Sequence, residues 1–177
     1  MQPYVKINPN GRVPAINDPN TGITLWESGA IIQYLVDTYD KDQKISHGTF
    51  PEKYTEIQWL SFQISGQGPY YGQAAWFSFF HPEKIPSAIE RYRKEVKRVI
   101  GVLDSVLAGK KALVGDKVTY ADLAFITWGS MVPWVMGEEK LDVASEYPSY
   151  NEWMEGLLAR PAVKKVLEEK ANMSAKH

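Results

Sequence analysis

Apolar positions along the chain change their spacing twice. Two short runs, Val13 to Ile16 and Ile23 to Trp26, flank the polar stretch NDPNTG, which predicts a hairpin with a loop of moderate length. Pro14 lies inside the first run. Proline cannot donate to a ladder, so Pro14 marks either an edge strand or a cis-proline turn. The spacing then widens to four, with Ile31, Leu35 and Tyr39 following Ser28, which predicts a helix with Ser28 as its N-cap. The polar, punctuated run DTYDKDQKISHGTFP reads as a linker. We therefore expect a small piece over residues 1–42, a linker over 43–50 and a helical domain over 51–177, with no internal repeat.

Beyond Pro51 the helical period prevails. Glu52 to Ile64 reads as one helix, and Pro69 in GQGPYYGQ should kink or break it, because proline lacks an N–H and crowds the preceding turn. The apolar run resumes at AAWFSFF. Ser87 to Leu107 is the clearest amphipathic helix, with Ile89, Tyr92, Val96, Val99, Leu103 and Val106 on one face and a solvated charged face opposite. AGKKALVGDK is a loop without the glycine spacing of a phosphate-binding loop. In VTYADLAFITWGSMVPWVM, Thr119 and Asp122 have the spacing of a capping box, with Val118 and Leu123 as a hydrophobic staple. The remainder is apolar nearly all round and predicts one central buried helix. YPSYNEWMEGLLARPAVKKVLEE predicts two short surface helices separated at Pro161, followed by a mobile tail, KANMSAKH. The fold class is thus α+β by pieces and mostly helical.

Composition narrows the chemistry. With 44% hydrophobic and 12% aromatic residues in 177, the chain can build a substantial core. A net charge of −1 favours neither nucleic acid nor an anionic membrane. There is no cysteine, so disulfides, thiolate metal sites and protein-thiol redox chemistry are excluded. MQPYVKINPN has neither signal-peptide nor presequence character, and no apolar run is long enough to span a bilayer, so a cytoplasmic location is expected. His47, His81 and His177 lack metal-ligand spacing, and no metal is expected.

Two stretches, NPNGRVPAI and LWESGAII, carry candidate chemistry. A cis-proline turn leaves the N–H and C=O of Val13 free to pair with an extended ligand. The helix start at Ser28 favours a carboxylate, and Glu27 beside it can hold an ammonium group. Together these suit an α-amino acid attached to a short peptide. Taken singly they have plain structural readings: a capped helix and a proline in an edge strand.

The order NPNGRVPAI, hairpin, LWESGAIIQYLVDTY, then VTYADLAFITW resembles the cytosolic glutathione S-transferase family. QWLSFQISGQGPYYGQAAWFSFFHPEKIPSAIERY is similar to its fungal nitrogen-regulator-like branch. The resemblance implies a partial thioredoxin-like piece followed by an all-α C-terminal domain. It implies that Val13, before cis-Pro14, pairs with the cysteinyl unit of glutathione, that Glu27 and Ser28 hold its γ-glutamyl end, and that Arg12 lies alongside. It also implies a homodimer pairing residues 28–39 with 52–79 of the partner subunit. A hydrophobic pocket for an electrophile is expected from Tyr70, Tyr71, Trp76, Phe77 and Trp128, with at least one of Tyr70 and Tyr71 in the cleft.

In that family a strand, a helix and a second strand precede the hairpin, and the residue that activates the sulfur lies there. The catalytic position is therefore expected upstream of Met1. The expected activity is conjugation of glutathione through its thiolate to a hydrophobic electrophile. A glutathione-dependent disulfide reductase uses the same anchors, and a non-catalytic glutathione-binding or regulatory protein needs only those anchors. A role as an assembly module is less well matched, for lack of an appended domain.

Overall fold

The computed structural model describes residues 2–137 and 139–174. A one-turn helix α1 (Gln2–Val5) leads into the NPNG turn. The hairpin follows, with β1 (Ala15–Asp18) antiparallel to β2 (Ile23–Trp26) and Ala15 opposite Trp26. The Val13–Pro14 peptide is cis, so the proline forms a turn and the strand begins only after it.

Helix α2 (Ser28–Tyr39) packs back on both strands. A buried carboxylate ties it there: Asp18 accepts hydrogen bonds from the Tyr34 hydroxyl at 2.5 Å and from the Tyr39 hydroxyl. The Tyr34 hydroxyl, then that of Tyr39, holds the Asp18 carboxyl below its ordinary value. Ser28 is not the N-cap but the first helical residue. The cap position is Glu27, whose side chain makes no capping bond.

The polar segment 40–51 is pinned at both ends. Asp40 accepts from the backbone of Lys44 and Ile45 and from Ser46 Oγ. His47 donates its backbone N–H to Glu56 Oε1 at 3.0 Å and pairs with it through Nδ1 at 2.7 Å.

Helix α3 (Glu52–Phe62) is not broken at Pro69. It passes through a π-turn (Gln63–Gln67) into α4 (Gly68–Ala75) and a second π-turn (Trp76–Phe80). In the first π-turn the Gly68 N–H reaches back to the Gln63 carbonyl. The wider turn accommodates the proline, so of the kink or break expected at Pro69 the break does not occur and the helical path continues.

Helix α5 (Pro86–Leu107) buries Val96, Val99, Ile100, Leu103 and Leu107 against α4 and α10 (Pro148–Leu158). Its charged face carries ion pairs such as Glu90–Lys94 and Glu95–Arg98. The apolar stretch after Thr119 is not one helix. It forms three short ones, α6 (Tyr120–Leu123), α7 (Ile126–Gly129) and α8 (Val132–Met136), joined by tighter three-residue hydrogen bonds at Phe125 and Met131. Its burial is nonetheless as expected: Ala121, Phe125 and Val135 are fully enclosed.

The capping pair forms, and Asp122 does more than cap. Its fully buried carboxylate accepts from the backbone and hydroxyl of Thr119, from the Leu113 N–H and from Trp153 Nε1. One acid thus joins α6, the loop before it and α10. Helix α9 (Val143–Glu146) precedes α10, which is no surface helix: Tyr150, Trp153, Met154 and Leu157 are buried. Helix α11 (Pro161–Ser174) continues through residues 170–174, where a mobile tail was expected, because the helical period simply carries on past Glu169; residues 175–177, including His177, lie outside the described residues. No described helix is long and apolar enough to cross a membrane.

Candidate glutathione site and adjoining cleft

The turn before β1 is built by its own side chains. Asn8, buried at the start of NPNG, accepts the Asn10 N–H at 2.9 Å and donates through Nδ2 to the Arg12 carbonyl. The Tyr4 hydroxyl donates to the same carbonyl at 2.9 Å. Gly11 takes the positive φ of 69° that the turn needs. These contacts hold the backbone just ahead of Val13. Val13 itself is 84% exposed, and no described group bonds to its N–H or C=O.

At the other side of the site, Glu27 has φ 70° and ψ 118°. A non-glycine residue there is strained by about 1–3 kcal/mol. The strained corner turns the chain sharply from β2 into α2, and the first intrahelical bond runs from the Ile31 N–H to the Glu27 carbonyl. The N–H groups of Ser28, Gly29 and Ala30 precede that bond, at the positive end of a twelve-residue helix without a side-chain cap.

Arg12, Val13, Pro14, Glu27 and Ser28 come together, with Asn8 and Asn10, around one polar pocket of about 190 Å³. Val13, Pro14 and Ser28 also form one end of a second, larger cleft of about 790 Å³. Its walls are Ile32, Leu35 and Val36 of α2 on one side and Leu123, Ala124, Trp128 and Met131 on the other. Gln63, Thr127 and Tyr120 also face it.

Of the five aromatic residues expected in the pocket, only Trp128 lines this cleft. Tyr71 is fully buried behind it, 6.2 Å from the Trp128 ring. Tyr70 packs on Tyr92, Phe77 stacks between Tyr92 and His81, and Trp76 stacks on Phe80 at the protein surface. The reason is helical phase. The continuous π-turn path directs Tyr71 into the core and carries Trp76 and Phe77 past the cleft.

Asn8 and Asn10 were missed in the sequence, although Asn-Pro-Asn-Gly is a turn signature whose first side chain bonds two residues on. Gln63 was missed too; it stands four positions before Gln67, the spacing at which the two side chains meet and hydrogen-bond. No group of three His, Cys, Asp or Glu among the described residues could hold a metal ion.

With that geometry in view, comparison with known proteins is decisive. Residues 2–37 match the glutathione S-transferase N-terminal domain, and residues 69–161 match the glutathione S-transferase C-terminal domain. The glutathione S-transferase-like protein tpcF of Aspergillus fumigatus is 52% identical over 174 residues, 92% of this chain and 76% of that protein. The chain belongs to the glutathione S-transferase family. The crystal structure of the transferase URE2P6 from Phanerochaete chrysosporium, in complex with oxidised glutathione, is 55% identical. It superposes with a TM-score of 0.91 over 97% of this chain and 79% of that one. Ure2p5 of the same fungus, cocrystallised with 1-(S-glutathionyl)-2,4-dinitrobenzene, is 44% identical with a TM-score of 0.92, covering 98% of this chain and 81% of that one. Among glutathione S-transferases this chain is thus of the Ure2-like fungal kind.

Proposed function

We propose that this transferase binds glutathione in the polar pocket and a hydrophobic electrophile in the adjoining cleft. One observation carries the reading: the two cavities share Val13, Pro14 and Ser28. A tripeptide whose central unit pairs with the free Val13 backbone has its sulfur at the mouth of the apolar cleft. Glu27 receives the γ-glutamyl ammonium group, and Ser28 with the α2 N-terminus receives the neighbouring carboxylate. Arg12 flanks the tripeptide and offers a charge to its other carboxylate.

The chemistry is addition of the glutathione thiolate to an electrophilic carbon. A carbon–sulfur bond forms, and the displaced electron pair leaves with the leaving group or moves onto the acceptor atom. The chain supplies proximity, holding both reactants in contiguous cavities. We assign the group that activates the sulfur to no described residue. A second reading, reduction of disulfides, is favoured by the oxidised glutathione bound in URE2P6. In such a reduction one glutathione thiolate attacks the glutathione sulfur of a mixed disulfide, forming oxidised glutathione and releasing the other partner as a thiolate. No protein cysteine is needed, and this chain has none.

Calorimetric titration with glutathione tests the site. Glu27→Ala removes one charge-assisted hydrogen bond of about 1.5–3 kcal/mol, so affinity should fall roughly 10- to 100-fold. Equal affinity of wild type and variant would contradict the assignment. Product analysis with a chlorinated nitrobenzene and, separately, a glutathione mixed disulfide distinguishes the two reactions. The proposal extends to a homodimer pairing residues 28–39 with the partner's 52–79. Tyr39, Tyr54 and Trp76 on these segments are exposed apolar groups for such an interface.

A further inference from the structure

Val13 offers the ligand its backbone, and a backbone N–H is aimed only by turning the peptide plane that holds it. The Val13 N–H shares a rigid plane with the Arg12 carbonyl. The cis peptides among the described residues stand at Val13–Pro14 and Phe50–Pro51, so Arg12–Val13 is trans and its N–H and C=O point in opposite directions. Whatever fixes the Arg12 oxygen therefore fixes the direction of the Val13 N–H.

Two donors hold that oxygen, the Tyr4 hydroxyl and Asn8 Nδ2. They differ in burial. The Tyr4 bond lies at the exposed surface, where water can replace it. Asn8 is 2% exposed, so water has little access to its amide. Backbone and side chain of Asn8 are both engaged. Its N–H donates to the Tyr4 carbonyl at 2.9 Å, and its C=O accepts the Gly11 N–H at 2.9 Å. Its Oδ1 accepts the Asn10 N–H at 2.9 Å, which leaves Nδ2 for the Arg12 carbonyl. A flipped amide would set Nδ2 against an N–H and Oδ1 against a carbonyl, so one orientation satisfies the turn.

We propose that Asn8 is a positioning residue for glutathione, which aims the Val13 N–H at the cysteinyl carbonyl before the ligand arrives. The inference rests on the glutathione reading above. Asn8 acts through the Arg12–Val13 peptide and contributes by preorganisation. The free chain already holds the donor in its bound direction, so binding does not have to order it.

Calorimetry with two ligands tests this: glutathione, and an analogue in which a trans alkene replaces the cysteinylglycine peptide bond. The analogue lacks the cysteinyl carbonyl and cannot receive the Val13 N–H. Wild type should bind glutathione about tenfold tighter than the analogue, the ratio of one net hydrogen bond. Asn8→Asp keeps the acceptor for Asn10 and turns an oxygen toward the Arg12 carbonyl, while Asn8→Ala removes the donor without adding charge. Both should lower the ratio to about twofold or less by weakening glutathione, with the analogue bound nearly as before. A merely structural role would weaken both ligands by the same factor, and an unchanged ratio overturns the proposal. A wild type that binds both ligands equally overturns the pairing at Val13 and with it the proposal. No binding of glutathione overturns the glutathione reading itself. Should both variants fail to fold, backbone amide NMR relaxation of the free wild type decides. The Val13 N–H should show an order parameter of about 0.85 or higher, as in rigid backbone, and a clearly lower value, toward the roughly 0.6 of flexible segments, overturns the proposal.

Discussion

Glu27 combines two roles that usually exclude each other. Its backbone occupies a conformation that disfavours any side chain, and its carboxylate lines the polar pocket. Glycine would fit that corner with less strain, so folding does not call for an acid there, whereas the proposed glutathione site does. Glu27→Gly should therefore lose glutathione affinity while its thermal unfolding midpoint stays the same or rises. Calorimetric titration beside a melting curve checks both at once, and a fall in the midpoint would refute the strain argument. Asp122 shows the opposite arrangement, a buried acid whose hydrogen bonds all serve the fold.

Among the elements, the segment 40–51 and helix α3 meet through Glu56. Its side chain is fully buried, with Oε1 bonded to His47 and Oε2 without a hydrogen-bond partner. Burial raises its carboxyl above the ordinary value of 4.5, against the lowering effects of His47 and Lys117. The folded chain therefore keeps a proton on Glu56 over a range in which the unfolded chain has released it. Stability from this group is full below about pH 4.5 and declines as pH rises through the raised folded value. Glu56→Gln retains an oxygen for the His47 N–H and cannot ionise. Urea denaturation across pH 4.5 to 8 should show the variant gaining on wild type as pH rises, and a constant difference would refute this. The two π-turns also belong to this scale. Each widens the helix by one residue, and together they set which aromatic residues reach the cleft.

For the molecule as a whole, the proposed dimer predicts where surface charge is least tolerated. Tyr54 is 64% exposed on α3 and packs only edge-on against Phe50. Tyr54→Glu should leave the fold intact and shift light scattering from twice the 20.1 kDa chain mass toward the single chain. A wild-type protein that scatters as a monomer at micromolar concentration would remove the dimer from the proposal.

Much of this architecture is legible in the chain because it follows from local spacing. The hairpin, the helix after Glu27, the long α5 and the Thr119–Asp122 cap all rest on residues within one or two turns of each other, where side-chain period and capping chemistry act directly. That Arg12, Val13, Pro14, Glu27 and Ser28 gather around one pocket was likewise readable, since they lie within seventeen positions of one another and flank a single hairpin. What only the tertiary structure decided depends on long-range packing. The run after Thr119 divides into three short helices where periodicity predicts one, α10 is buried where a surface helix is expected, and the helix path survives Pro69 by adopting a π-turn. The same cause removes Tyr71 from the cleft and puts Gln63 into it. Behind it the buried Gln67 takes the hydrogen bond from Gln63 and donates to the Phe125 carbonyl 58 residues away, a contact that no local spacing announces.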